Sequence, residues 1–104
     1  MLSKKQIQKI VDTIVEGYEP EKVILFGSYA NGKPDEDSDL DFVIIKKTNT
    51  EVLERRRQVR RLFNPYPHPM DIFVYTPTEY NKRKNVIGTL QHIVNEQGRV
   101  VYGE

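Results

Sequence analysis

The sequence contains no cysteine and no long apolar run. Without cysteine there are no disulfides, thiolate metal sites or cysteine nucleophiles, which fits a reducing compartment such as the cytosol. No apolar segment approaches the roughly 20 residues of a membrane span. The first residues, MLSKKQIQ, also lack the apolar stretch of a signal peptide. We therefore expect a cytoplasmic protein that does not associate with membranes.

The chain also has little net charge. It has 104 residues and a formal net charge of +1, so the molecule as a whole has no bias toward nucleic acid or membranes. Its 38% apolar and 30% charged residues are ordinary for a globular protein. The length suits one core, and we predict a single domain over residues 1–104. Charge is concentrated locally, with five carboxylates and one lysine in residues 32–41 and five arginines and two glutamates in residues 51–63.

Hydrophobic periodicity predicts helices alternating with strands, and hence a central sheet covered by helices. The first helix has a potential capping box, Ser3 with Gln6. The predicted strands are residues 22–26, 40–45, 71–75 and 100–102. The predicted helices are residues 3–17, a short one near 29–31, 51–63, one that starts at Thr76-Pro77, and a helical stripe over residues 86–94 that ends at Gly98.

Asp39 and Asp41 mark the entry to the second predicted strand. Residues two apart in a strand point to the same face, so both carboxylates would project together. Unpaired buried carboxylates are costly, and a cation, most simply Mg²⁺, would be their natural partner. The alternative is a solvated acidic turn that caps the strand.

Gly27 and Ser28 follow the first predicted strand, where they could contact phosphate. Gly27 has no Cβ to keep backbone N–H groups from phosphate oxygens, and a helix that starts there would add its positive end. The Ser28 hydroxyl could donate to a phosphate oxygen, or it could be an ordinary helix N-cap.

Asp71 opens the third predicted strand and is a candidate third carboxylate. If that strand lies beside the second, Asp71 joins Asp39 and Asp41 in a site that could hold two metal ions for in-line nucleotidyl transfer. Asp71 could then accept the proton of the attacking hydroxyl. The alternative is a strand-end aspartate paired with an arginine or lysine.

Together these residues match the pattern G-S-x-A-x-G followed by S-D-x-D. The matching positions are Gly27, Ser28, Ala30, Gly32, Ser38, Asp39 and Asp41. This pattern resembles that of the DNA-polymerase-β-like nucleotidyltransferase superfamily. The chain is most similar to the minimal nucleotidyltransferases, the antitoxin partners of HEPN-domain toxins. The resemblance covers nearly the whole chain and implies an α+β fold with a small mixed β-sheet flanked by helices.

The resemblance also implies an activity. Asp39, Asp41 and Asp71 would bind two Mg²⁺ ions, and Gly27 and Ser28 would contact the nucleotide phosphates. The enzyme would transfer AMP from ATP to a hydroxyl of a partner protein, often a tyrosine of the cognate HEPN toxin. ATP and such a toxin are therefore the predicted partners.

Two other functions stay open at this stage. The chain could be a non-catalytic antitoxin that neutralises a toxin by occlusion, or it could transfer a nucleotide to a small molecule or RNA. Superfamily members of the latter kind usually carry extra acceptor-binding domains, for which 104 residues leave no room. The sequence does not decide the acceptor, the preferred nucleotide or whether homo- or hetero-oligomers form.

The arginine-rich segment 51–63 has two interpretations. It could be a solvated helix face with intrahelical pairs such as Glu51–Arg55. It could also be a face that binds RNA or a toxin.

Overall fold

The structure, a computed structural model, describes residues 1–103. Helices and strands follow one another in this order: α1 (Lys4–Tyr18), β1 (Lys22–Phe26), β2 (Leu40–Ile45), α2 (Val52–Arg60), β3 (Met70–Tyr75), α3 (Pro77–Arg83), α4 (Leu90–Gln97) and β4 (Arg99–Tyr102). No helix within residues 1–103 is long and apolar enough to span a membrane.

The strands form one mixed sheet in the order β3-β2-β1-β4. β1 pairs antiparallel with both β2 and β4, whereas β2 and β3 are parallel. The predicted α+β fold with a small mixed sheet is therefore confirmed. The parallel pair is possible because α2 carries the chain from the end of β2 back to the start of β3.

Helices cover both faces of the sheet. On one face, the core includes Ile14 of α1, Phe42 of β2 and Val59 of α2. On the other face, Val43 packs with Tyr80 of α3 and Val94 of α4. The alternation of side chains along β2 sends Phe42 to the first core and Val43 to the second.

The capping box of α1 is confirmed. The Gln6 N–H donates to Oγ of Ser3 at 3.1 Å, and the Ser3 N–H donates to Oε1 of Gln6 at 2.7 Å. The helix ends one residue later than the predicted stop at Gly17. Glu19 takes the left-handed conformation there, with φ of 53°, and its N–H donates to Val15 O. Nζ of Lys46 also donates to Tyr18 O at the helix end.

The short helix predicted after Ser28 is wrong. Residues 28–32 form turns instead, in which the N–H groups of Ala30 and Asn31 both donate to Gly27 O, at 3.0 and 3.1 Å. The positive helix end expected at Gly27-Ser28 is therefore absent from this part of the described chain.

The helical stripe predicted over residues 86–94 is also partly wrong. Val86 and Ile87 lie in the connection between α3 and α4, and Ile87 is 86% exposed. Gly88 has φ of +92°, which no helix accommodates, and Thr89 caps the next helix by accepting from the His92 N–H at 3.1 Å. The predicted helix over residues 51–63 likewise ends earlier, at Arg60.

Candidate active site

The pairing of β2 with β3 sets Asp41 beside Asp71. The two strands run parallel, with Leu40 opposite Met70 and Asp41 opposite Asp71. Leu40 and Met70 are buried in the core against α1, so side-chain alternation directs the two aspartates to the opposite face. The third strand therefore lies beside the second, which is the arrangement on which the role of Asp71 depends.

The three predicted carboxylates influence one another unequally. Asp41 is half-buried, whereas Asp39 and Asp71 are exposed. Burial, the charges of Asp71 and Asp39, and a hydrogen bond with Asp71 together raise the pKa of Asp41 to about 6. A carboxyl whose pKa is raised by neighbouring carboxylates marks a place where a cation would be favourable.

The turn after β1 packs against the Asp41 carboxylate. Phe26, the last residue of β1, pairs with Asp41, and Gly27 follows with φ of +75°. A Cβ at position 27 would collide with Oδ2 of Asp41. Glycine is required here for both reasons. Ser28, next in the chain, is half-buried.

The loop of residues 35–38 is held by its own hydrogen bonds. Oγ of Ser38 accepts from the Asp35 N–H at 2.9 Å, and Oδ1 of Asp35 accepts from the Asp37 N–H at 2.9 Å. These bonds fix the chain immediately before Asp39. The loop carboxylates Asp35, Glu36 and Asp37 are exposed.

His68 joins the two strand entries, which the sequence did not indicate. Its Nε2 donates to Ser38 O at 2.9 Å, and its ring meets Tyr29 edge-on at 6.3 Å between centroids. The Leu40 N–H also donates to Pro69 O at 3.1 Å. A single histidine in a proline-rich linker gives no spacing signal, so this contact could be seen only in the folded chain.

The arginines of α2 divide into paired and unpaired side chains. Arg55 is buried and pairs with Glu79 at 2.7 Å, so the predicted Glu51–Arg55 pair is wrong. Arg57 and Arg61 both pair with Glu54, at 3.9 and 2.9 Å. The remaining two lie over aromatic rings: Arg56 over Phe73 and Arg60 over Tyr66.

Oxygen donors of this kind suit Mg²⁺, a hard cation that takes one or two carboxylates together with substrate phosphates. Yet no group of three or more His, Asp or Glu side chains in residues 1–103 is arranged to hold a metal ion. The contact between Asp41 and Asp71 supplies two carboxylates, and Asp39 lies near enough to raise the pKa of Asp41. The donor set fits the ion, while a preformed three-aspartate site stays a prediction.

A cavity beside α3 and α4 is not part of this site. A cavity of about 460 Å³ lies between these helices and the sheet, with Lys22, Tyr80 and Lys84 in its lining. Its lining includes none of the five predicted site residues.

The chain thus has a glycine turn packed against one of two neighbouring aspartates on a mixed sheet. The chain belongs to the nucleotidyltransferase domain family, whose model matches residues 4–99. It is an enzyme of the nucleotidyltransferase type.

Two curated relatives come from Methanocaldococcus jannaschii, and both are provisionally named protein adenylyltransferases. MJ0141 is 35% identical over 78 residues, which cover 75% of this chain and 76% of that protein. MJ0604 is 30% identical over 104 residues, which cover 98% of this chain and all of that protein.

Solved structures share the fold at lower identity. A protein of Sulfolobus solfataricus, provisionally named a nucleotidyltransferase, matches with a TM-score of 0.66 and 21% identity over 96% of this chain and 79% of its own. A toxin–antitoxin structure with AMP-PNP matches with a TM-score of 0.67 and 19% identity over 93% of this chain and 73% of its own. A mutant of the MntA–HpeT toxin–antitoxin matches with a TM-score of 0.66 and 17% identity, over the same shares of the two chains.

Proposed function

We propose that this enzyme transfers AMP from ATP to a hydroxyl of a partner protein, with Mg²⁺ as its cofactor. The observation that carries the proposal is the contact between Asp41 and Asp71, with the Gly27 turn packed directly against Asp41. This arrangement can serve a reaction in which the backbone turn binds phosphate groups beside the carboxylate pair.

The names of similar proteins support the protein acceptor and the nucleotide. Both Methanocaldococcus relatives are provisionally named protein adenylyltransferases, and one similar toxin–antitoxin structure contains AMP-PNP. The MntA–HpeT likeness supports a toxin as the partner. We propose a toxin of the HEPN class, on the sequence resemblance.

We also propose that residues 1–104 act as one nucleotidyltransferase domain. α1 and β4 lie near opposite ends of the described chain, yet Val101 of β4 packs on the core that contains Ile10 and Ile14 of α1. Elements from near both ends of the described chain therefore share one core.

Each site residue has a separate task in the proposed reaction. The open backbone at Gly27 and the hydroxyl of Ser28 would hold the phosphates that leave as pyrophosphate. Asp39, Asp41 and Asp71 would hold Mg²⁺, which would supply positive charge to neutralise the negative charge that develops on the phosphates. Asp71, the exposed carboxylate on β3, would accept the proton of the attacking hydroxyl. The hydroxyl oxygen bonds to the α-phosphorus, and the bond from that phosphorus to the bridging oxygen breaks.

The test is label transfer from α-³²P-ATP to a HEPN-class toxin, the proposed partner. The wild type is expected to label the toxin, and Asp39→Asn/Asp41→Asn is expected to lower the rate by at least roughly 10²-fold, since it removes charge on which transition-state stabilisation depends. Asp37→Asn is the matched control, because this exposed aspartate lies in the same acidic stretch and outside the pair.

Undiminished labelling by the double variant would contradict the assignment of the site. Toxin neutralisation that survives the double change, without any labelling by the wild type, would instead identify a non-catalytic antitoxin. Labelling of a free small molecule or RNA in the absence of the toxin would move the acceptor to those classes.

A further inference from the structure

Two arginines stand at the edge of the sheet beside Asp71. Cζ of Arg56 lies 5.4 Å from the centroid of the Phe73 ring, and Cζ of Arg60 lies 4.8 Å from that of Tyr66. Phe73 is two residues after Asp71 on β3 and shares its face of the strand. An aromatic ring beneath a guanidinium restricts its motion while the N–H edges stay free to donate.

These arginines are also close to Asp71 in electrostatic terms. Burial raises the pKa of the Tyr66 hydroxyl. The charge of Arg60 lowers this pKa, as does that of Arg56, whereas the charge of Asp71 raises it. The Tyr66 hydroxyl is therefore within electrostatic range of the two guanidinium groups and of the Asp71 carboxylate. The arginine pair and Asp71 border the same patch of surface.

The other arginines of α2 are already occupied. Arg55 pairs with Glu79, and Arg57 and Arg61 pair with Glu54. In the part of the chain that the structure describes, neither Arg56 nor Arg60 forms a salt bridge with a carboxylate. The guanidinium groups of Arg56 and Arg60 are therefore available to an external anion.

The order in which the site residues lie across the sheet indicates which substrate Arg56 and Arg60 would contact. The sheet order β3-β2-β1 puts the Gly27 turn at one side, Asp41 in the middle and Asp71 on the edge strand. Arg56 lies over Phe73, which is on the same edge strand as Asp71, and Arg60 lies over Tyr66, which precedes that strand. In-line displacement requires the attacking hydroxyl to enter opposite the leaving pyrophosphate. If the turn holds the leaving group, the arginines are on the acceptor side.

We propose that Arg56 and Arg60 dock an acidic segment of the acceptor protein, one with carboxylates beside the modified hydroxyl. The inference rests on the proposed function, which sets the direction of attack. Two guanidinium groups one helical turn apart suit one or two carboxylates. A nucleic-acid backbone would need a longer basic surface, whereas this chain has a net charge of +1 and an acidic stretch before Asp39.

The docking pair can be tested by binding alone. Fluorescein-labelled peptides would carry a central tyrosine flanked either by glutamates or by glutamines, and a short oligouridine would represent RNA. Fluorescence anisotropy at low salt is expected to show that the wild type binds the glutamate peptide roughly tenfold tighter than the glutamine peptide, a preference worth two exposed ion pairs.

Variants of α2 decide whether these two arginines are responsible. Arg56→Gln/Arg60→Gln is expected to remove the preference, and Arg56→Lys/Arg60→Lys to keep most of it. Arg57→Gln/Arg61→Gln is the matched control, with the same charge change in α2 and its C-cap, and should keep the preference in full. If the first double variant does not fold by circular dichroism, the single Gln variants are compared instead, and each should lose about threefold.

Three results would overturn the proposal: no preference for the glutamate peptide, an equal loss in both double Gln variants, or tighter binding of oligouridine that depends on Arg56 and Arg60. In the label-transfer assay, Arg56→Gln/Arg60→Gln is expected to raise KM for the acceptor roughly tenfold, with kcat and KM for ATP unchanged. Failure of the wild type to transfer label would contradict the proposed function and leave the peptide result standing. Transfer with an unchanged acceptor KM would contradict the docking pair alone.

Discussion

At the scale of single residues, Asp41 is the position where the proposed function lowers the stability of the fold. It is half-buried between the Gly27 turn and Asp71, and these surroundings raise its pKa to about 6. A carboxylate in this position is destabilising when ionised, because it loses water and meets a like charge. Sites that perturb a carboxyl in this way are typical of functional positions rather than of structural ones.

The residue-scale prediction is that Asp41→Asn stabilises the metal-free protein at pH 7. The folded-state pKa of about 6 lies above the ordinary value of 3.8, so the folded protein binds this proton more tightly than the unfolded chain. Ionisation therefore lowers stability as the pH rises from about 4 to 6. Discounted for partial exposure, the gain is expected to be about 1 kcal/mol in urea unfolding with EDTA present.

Asp37→Asn is the control for this measurement, since Asp37 is exposed in the neighbouring loop. Its free energy of unfolding should change little. The gain from Asp41→Asn should also fade below a pH of about 4, where the carboxyl is protonated in both states. Destabilisation by Asp41→Asn at pH 7 would show that the carboxylate makes a favourable contact in the folded chain.

At the scale of elements, the sequence predicted those features of helices and strands that depend on residues close together in the chain. The bounds of β1 and β2 matched because each is an apolar run that ends at residues unsuited to a strand. The capping box likewise predicted the start of α1. The burial of Arg55 could not be predicted, because its partner Glu79 belongs to α3 and becomes a neighbour only after folding.

Arg55 fixes α2 to the rest of the fold. Its side chain donates to Thr50 O at 2.7 Å, to Val74 O at 3.3 Å and to both carboxylate oxygens of Glu79. The guanidinium thus joins the start of α2 to the end of β3 and to α3. The hydrogen bond from Arg55 is also the main reason that the pKa of Glu79 is lowered.

The element-scale prediction is that Arg55→Ala destabilises the protein by about 2 kcal/mol, because it removes buried charge-assisted hydrogen bonds. The effect stays below that of a fully buried pair, since the Glu79 side chain is 40% exposed and can regain water. Arg61→Ala on the same helix breaks only an exposed pair with Glu54 and should cost less than about 0.5 kcal/mol. Equal losses in urea unfolding for the two variants would contradict the anchoring role of Arg55.

At the scale of the whole molecule, the site depends on strands that are distant in sequence. Asp39 and Asp41 could be nominated from their spacing alone, as could the Gly27-Ser28 turn. Asp71 could be nominated only conditionally, because its position depends on the parallel pairing of β2 with β3. The contact between His68 and Ser38 and the positions of Arg56 and Arg60 over aromatic rings are products of tertiary packing and leave no periodic signal.

The sheet order also gives the molecule two distinct sides. The Gly27 turn follows β1, Asp71 is on the edge strand β3, and Asp41 lies between them on β2. We expect the donor phosphates on the β1 side and the acceptor hydroxyl on the β3 side. We propose that this arrangement cleaves ATP at the α-phosphorus and delivers AMP.

The most direct test is to incubate the enzyme and the proposed partner toxin in parallel with α-³²P-ATP and γ-³²P-ATP and to count the label retained on the toxin. AMP transfer retains the α label and releases the γ label in pyrophosphate. The expected result is therefore a toxin labelled by α-³²P-ATP alone, with the signal lost in Asp39→Asn/Asp41→Asn. A toxin labelled by γ-³²P-ATP would show phosphoryl transfer and would contradict the account.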